Sequence, residues 1–214
     1  MALETHLATL EDWTYRFLPP QKASRRLLLL LHGWTGDENS MWVFARNFPR
    51  TAWMLAPRAP FPAPSGGYSW REHVETAHSL DDLRASAAEL IHFIEGWGIA
   101  NRVDTDQFDV AGFSQGAAMA GMLSLLYPQR VRKLAMLAGF LPHGAEELFP
   151  TSFDPEKRVF IAHGTQDLMV SVERARHAVS LFEQAGARVD YCEAEVAHKV
   201  SAECLRSLVD YLQD

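Results

Sequence analysis

Short apolar runs bounded by Gly, Pro or charged side chains recur along this chain, and they restrict its fold more than any other feature. The segments are Arg26–His32, Ala52–Ala56, Phe108–Ser114, Leu134–Gly139, Val159–His163 and Arg188–Glu195. Several are apolar throughout, without polar alternation, which is the pattern of strands covered on both faces. None approaches the roughly 18 to 20 apolar residues that span a bilayer, so no membrane span is expected.

Between these runs the apolar period changes. From Asp81 to Gly96, residues Leu83, Ala87, Leu90, Ile91 and Ile94 form one stripe of a 3.6-residue helix. Ser79 and Asp82 stand at capping-box-like spacing before it, and Gly96 or Gly98 can end it. Met41, Phe44, Ala45 and Phe48 make a shorter stripe. Val172, Ala175, Val179 and Phe182 follow Ser171, and Leu205, Leu208, Val209 and Leu212 follow Ser201, both serines being suited to cap a helix. Strands alternating with helices predict right-handed βαβ units, hence a mostly parallel central sheet with helices on both faces. No repeat and no Gly/Ser linker divides the chain, so residues 1–214 are expected to form one domain.

Charge narrows the partners. With 27 Asp and Glu against 20 Lys and Arg, the formal net charge is −7, so nucleic acid and anionic membrane surfaces are not expected partners. Cys192 and Cys204 have no CxxC spacing and read as reduced thiols of a cytoplasmic protein. Met1–Asp12 carries Glu4, Glu11 and Asp12 and no basic stretch, which does not read as a signal peptide. Pro57–Val74, with prolines at 57, 60, 62 and 64 and Gly66-Gly67 ahead of Tyr68 and Trp70, reads as a long loop without regular structure that exposes two aromatics.

The chemistry concentrates in Gly112-Phe113-Ser114-Gln115-Gly116, a G-x-S-x-G placed after an apolar strand and before a run of small residues. In a strand-to-helix turn this sharp, a Cβ at either glycine would meet neighbouring backbone. The helix that follows puts a positive end beneath the Ser114 oxygen and leaves the Gln115 N–H free to donate. A serine hydroxyl is a weak nucleophile at neutral pH, so the motif requires a base and an acid later in the chain. Asp167, just past the strand around Val159–His163, and His198, after the last strand, supply that order. Asp154 precedes its strand and would lie at the opposite edge of the sheet, whereas Asp190 lies inside one. His6, His73, His78, His92 and His177 fall in solvent-type or helix-surface contexts, and His32 and His163 read as loop-bonding residues at strand ends. No HExxH or clustered Cys/His spacing occurs, so neither a metal nor any other cofactor is expected.

A second oxyanion donor should come from the loop after an early strand. His32-Gly33-Trp34-Thr35-Gly36-Asp37-Glu38 stands there, and the Trp34 N–H could aim at the same point as that of Gln115. The alternative is an ordinary turn followed by a helix capped by Asp37 or Asn39.

The motifs LLLHGWTGDE, APRAPFPAP with GGYSW, GFSQGAAMA, AGFLP, HGTQDLMV and AHKVSAECL, in this order and spacing, resemble the bacterial phospholipase/carboxylesterase family, relatives of acyl-protein thioesterases within the α/β-hydrolase superfamily. The resemblance extends from Leu27 onward. It implies an α/β-hydrolase fold without a separate lid domain, Ser114 as nucleophile, His198 as base, Asp167 as acid, and the backbone of Trp34 and Gln115 as oxyanion hole. The family commonly has Gly before the histidine, where this chain has Ala197, which restricts that loop to φ values a non-glycine residue tolerates.

The expected reaction is hydrolysis of small to medium acyl esters through an acyl-enzyme, with acyl-protein thioesterase or lysophospholipase activity as alternatives. A non-enzymatic binding protein on the same fold is the remaining rival. Trp34, Tyr68, Trp70, Phe140, Leu141 and Met169 follow predicted strands and are expected to wall the acyl pocket. The partners expected are small-molecule esters or thioesters and a second copy of the chain in a homodimer.

Overall fold

The computed structural model describes residues 4–72 and 80–213. The six apolar runs all become strands: β3 (Leu27–Leu31), β4 (Trp53–Pro57), β7 (Phe108–Phe113), β8 (Val131–Leu137), β9 (Arg158–Gly164) and β10 (Arg188–Ala194). A hairpin of β1 (His6–Leu10) and β2 (Trp13–Leu18) precedes them, and the sheet order is β1-β2-β4-β3-β7-β8-β9-β10. From β4 to β10 every neighbouring pair is parallel, while β1 with β2 and β2 with β4 are antiparallel. The hairpin has no apolar run to announce it. Its residues are mostly part-exposed, and β2 mixes Thr14 and Arg16 among its aromatics.

Why the central strands are apolar at every position is visible in β3. Leu27, Leu29 and Leu31 enter one core, and Leu28 and Leu30 enter the other, on the opposite face of the sheet. Helices α2 (Leu80–Asn101), α3 (Gln115–Leu126) and α4 (Val172–Gln184) supply the first core with Leu83, Leu90, Met119, Leu123 and Phe182. Helices α1 (Trp42–Ala45) and α5 (Ala202–Gln213) supply the second with Ala45, Leu208 and Leu212. The capping serines fall where the spacing puts them: Ser171 accepts from the Glu173 N–H at 3.3 Å and Ser201 from the Cys204 N–H at 3.0 Å.

Three expectations need correction. Neither Gly96 nor Gly98 ends α2, which continues to Asn101 and stops where Arg102 turns left-handed at φ 57° and the Val103 N–H reaches back to Gly98 O at 2.9 Å. The proline-rich loop contains a small antiparallel pair, β5 (Phe61–Pro62) and β6 (Tyr68–Ser69), since a short edge strand tolerates a proline that donates nothing. Cys192 on β10 and Cys204 on α5 are not separate thiols but a disulfide, their Cα atoms 5.6 Å apart. The two cysteines meet because α5 returns across β10, a contact their spacing does not encode. The cytoplasmic location inferred from reduced thiols loses that support. Ser79, His73 and His78 lie outside the described residues. Among the described residues no helix is long and apolar enough to cross a membrane.

Candidate active site

Ser114 stands between β7 and α3 with φ 53° and ψ −118°, a conformation that non-glycine residues rarely adopt. The flanking glycines let the turn close. A Cβ on Gly112 would lie 2.1 Å from Gly116 O, and one on Gly116 would lie 2.2 Å from Leu31 O. Helix α3 therefore packs directly against the end of β3, and its first turn is wholly buried.

Two other strand ends bring their loops to the same place. Past β9, the buried Asp167 accepts at Oδ1 from the N–H groups of Met169 and Val170, at 2.9 and 3.0 Å. Its Oδ2 lies 2.6 Å from Nδ1 of His198, which follows β10. Nε2 of His198 lies 3.0 Å from Ser114 Oγ. The side chain of Asp167 has no exposed surface and that of His198 is 14% exposed. Burial opposes the charge of Asp167, but the bonds from Val170, His198 and Met169 outweigh it and hold the carboxyl below its usual range. The Phe113 ring, 5.1 Å from the imidazole, packs beside it. Ala197 is not among the residues with positive φ, so the histidine loop takes a conformation that alanine tolerates.

The competing groups are engaged elsewhere. Asp154 is exposed before β9 and accepts from the Glu156 N–H, and Asp190 pairs with Arg158. His32, whose imidazole burial pushes down, bonds Gly33 O and accepts from the Ala59 N–H. His163 bonds Val170 O at 2.8 Å, and although its Nε2 also lies 3.4 Å from Asp167 Oδ2, its side chain is fully buried.

The loop after β3 lies against the serine: a Cβ on Gly33 would be 3.3 Å from Ser114 Cβ. Neither Asp37 nor Asn39 caps α1, because Asp37 Oδ1 accepts from the Asn39 N–H in a turn of its own. Buried Glu38 holds the loop from below. Burial disfavours its charge, but the two bonds from Arg58, at 2.7 and 3.1 Å, keep its carboxyl below the usual range. Trp34 and Gln115 present backbone N–H groups that no acceptor among the described residues takes.

A cavity of about 720 Å³ opens over Ser114 and His198. Of the six residues expected to wall it, Trp34, Phe140 and Met169 do so, and Tyr68, Trp70 and Leu141 do not. Trp70 is fully buried and donates its indole N–H to His32 O at 2.7 Å. Tyr68 turns to Arg58, whose guanidinium lies 4.6 Å from its ring. Leu141 is buried beneath α3, its Cδ2 2.8 Å from where a Gly121 Cβ would stand. Pro62, Pro64, Phe113, Arg71 and Arg174 also line the cavity, a place the sequence does not lead one to expect for them. Phe113 was marked by its place inside G-x-S-x-G, and Arg174 by being a cation in the first turn of a helix, where the dipole disfavours one. The Gln115 side chain joins loop and helix, accepting from the Trp70 N–H at 3.0 Å and donating to Ser69 Oγ at 3.1 Å.

Chemically, the arrangement places a hydroxyl, an imidazole and a carboxylate in one line of hydrogen bonds at the C-terminal edge of the sheet. Residues 16–214 match the model of the phospholipase/carboxylesterase family. A probable SOBER1-like carboxylesterase of Arabidopsis thaliana is 28% identical over 208 residues, covering 89% of this chain and 79% of that protein. Acyl-protein thioesterase 1 of Kluyveromyces lactis is 25% identical over 211 residues, covering 88% and 91%. The solved carboxylesterase of Mesorhizobium loti superposes with a TM-score of 0.83 at 26% identity over 98% of both chains. That of Bacillus cereus shares the fold, with a TM-score of 0.84 at 22% identity over 94% of this chain and 93% of that one. With the sheet, the helix layers and the matched length in agreement, this chain belongs to the phospholipase/carboxylesterase family of α/β-hydrolases and is an esterase-type hydrolase.

Proposed function

We propose that this chain, as one domain and without a cofactor, hydrolyses carboxylic esters of small to medium acyl chains through an acyl-enzyme on Ser114. The observation that carries the reading is the pair of contacts made by His198, 2.6 Å to Asp167 and 3.0 Å to Ser114. Nε2 of His198 takes the hydroxyl proton as Ser114 Oγ attacks the acyl carbonyl. Asp167 fixes the tautomer with Nδ1–H toward itself and stabilises the imidazolium. The N–H groups of Trp34 and Gln115 receive the oxyanion. The imidazolium returns the proton to the departing alcohol, and water deacylates the serine by the same steps. A thioester would react identically, and exposed Leu168 and Met169 near the cavity mouth suit a larger acylated partner.

Ser114→Ala should lower kcat by roughly 10⁶ while leaving the melting temperature nearly unchanged. Fluorophosphonate labelling should vanish with it, and labelling that persists on another serine overturns the assignment. p-Nitrophenyl esters of graded chain length, run beside an acyl-CoA and a lysophospholipid, place the substrate among the three classes.

A further inference from the structure

Among the described residues that line the cavity at Ser114, the titratable side chains apart from His198 are Arg71 and Arg174, with no carboxylate. Arg174 brings a positive charge to the cavity of a chain whose formal net charge is −7. Arg174 is the third residue after the cap Ser171, inside the first turn of α4, where the helix dipole works against a positive charge. Its guanidinium stacks 3.9 Å from the centroid of the Phe140 ring, and Nη2 donates to Leu141 O at 3.1 Å. That tether fixes the group and engages one donor of the fork. No carboxylate among the described residues pairs with it. Glu173, its neighbour in sequence, is engaged by Arg176 at 2.7 Å, and Glu146 by His177 at 3.3 Å. Arg58 and Arg132, by contrast, have Glu38 and Asp109. Partial burial pushes the Arg174 guanidinium down with no acidic group to offset it, yet an arginine keeps its charge at neutral pH.

We propose that Arg174 selects esters that carry an oxyanion, a carboxylate or a phosphate, on the part of the substrate lodged in this cavity. The proposal rests on the ester hydrolysis proposed above. A planar guanidinium already oriented by a ring and a carbonyl matches an oxyanion with little further ordering. A neutral isostere leaves its partly desolvated charge without a counterion, so discrimination arises from the missing partner as well as from the contact.

The test compares two pairs of esters. p-Nitrophenyl hydrogen glutarate against p-nitrophenyl valerate places a carboxylate on the acyl side. 1-Butyrylglycerol 3-phosphate against monobutyrin places a phosphate on the alcohol side. Wild-type protein should prefer the charged member of at least one pair in kcat/KM. Arg174→Met, which keeps the apolar stem, should reduce that preference by about 10- to 100-fold, mainly through KM. Arg174→Lys should keep part of it. The pair that responds identifies the source of the oxyanion. No preference in either pair, or one that survives Arg174→Met in protein still labelled at Ser114 by fluorophosphonate, overturns the proposal. Wild-type protein that neither labels nor hydrolyses any of the four esters counts instead against the hydrolase reading beneath it.

Discussion

Asp167 and His198 meet through a single carboxylate oxygen, Oδ2, at 2.6 Å, because the other oxygen is already committed to the backbone of Met169 and Val170. The carboxylate is thus oriented before the imidazole reaches it. In Asp167→Asn the amide can present N–H where the imidazole needs an acceptor, which favours the wrong tautomer. We expect kcat to fall by roughly 10⁴ with little change in KM. Asp154→Asn, at the exposed far edge of the sheet, should leave steady-state rates unaltered. An Asp154 variant more damaged than the Asp167 variant would remove Asp167 from the mechanism.

The serine turn should tolerate no side chain at its glycines. Gly116→Ala forces a methyl to within 2.2 Å of Leu31 O, and backbone at the end of a central strand cannot give way as a side chain could. A loss of at least about 3 kcal/mol is expected in denaturant unfolding. A stable, active Gly116→Ala protein would mean that β3 and α3 pack less closely than described.

Much of this architecture was legible because the signals were local. The both-face burial of β3 is written into its five leucines, and Ser171 and Ser201 cap the helices they precede. Chain order and strand ends also sufficed to pick out Ser114, Asp167 and His198 as the groups brought together. What stayed hidden depends on long-range contact. Trp70 reads as an exposed loop aromatic, yet it is buried because the loop folds back and the indole finds His32 O. The hairpin of β1 and β2 pairs at the sheet edge, where half-exposed strands need no apolar run. Arg174 lies inside the first turn of α4, and its place at the cavity depends on Phe140 and Leu141, which come from a loop distant in sequence.

Lys157 gives the fold a pH dependence of its own. Its ammonium is buried, with Nζ bonded to Val131 O, and burial pushes its pKa from 10.5 to about 7, with Asp109 offsetting only part of that. Between these two values the unfolded chain holds a proton that the folded chain has released, so stability rises with pH across this window, by at most about 1.4 kcal/mol per unit. Lys157→Met removes that slope. The variant should gain most over wild type at and below pH 7, and the gain should shrink as pH approaches 10.5. Urea unfolding at pH 6, 8 and 9.5 tests this, and parallel stability profiles for the two proteins would contradict it.

The disulfide between Cys192 and Cys204 closes a ring, at a sequence separation of 12, that contains His198. A loop of that length, once closed, restrains the unfolded chain by about 3 kcal/mol. For a chain of this size that corresponds to a melting temperature roughly 6 to 12 °C lower after reduction. The same ring anchors the histidine loop at both ends, to β10 and to α5, so reduction frees the segment that sets the distance from Nε2 to Ser114 Oγ. Ester hydrolysis measured well below the melting range should therefore slow on treatment with dithiothreitol, through kcat more than KM. Cys204→Ala should show both deficits and no further response to the reductant. Thiol titration should find two groups after reduction and none before it in denatured protein. Two thiols in the untreated denatured protein, or a melting temperature indifferent to reductant, would show that the bond does not form.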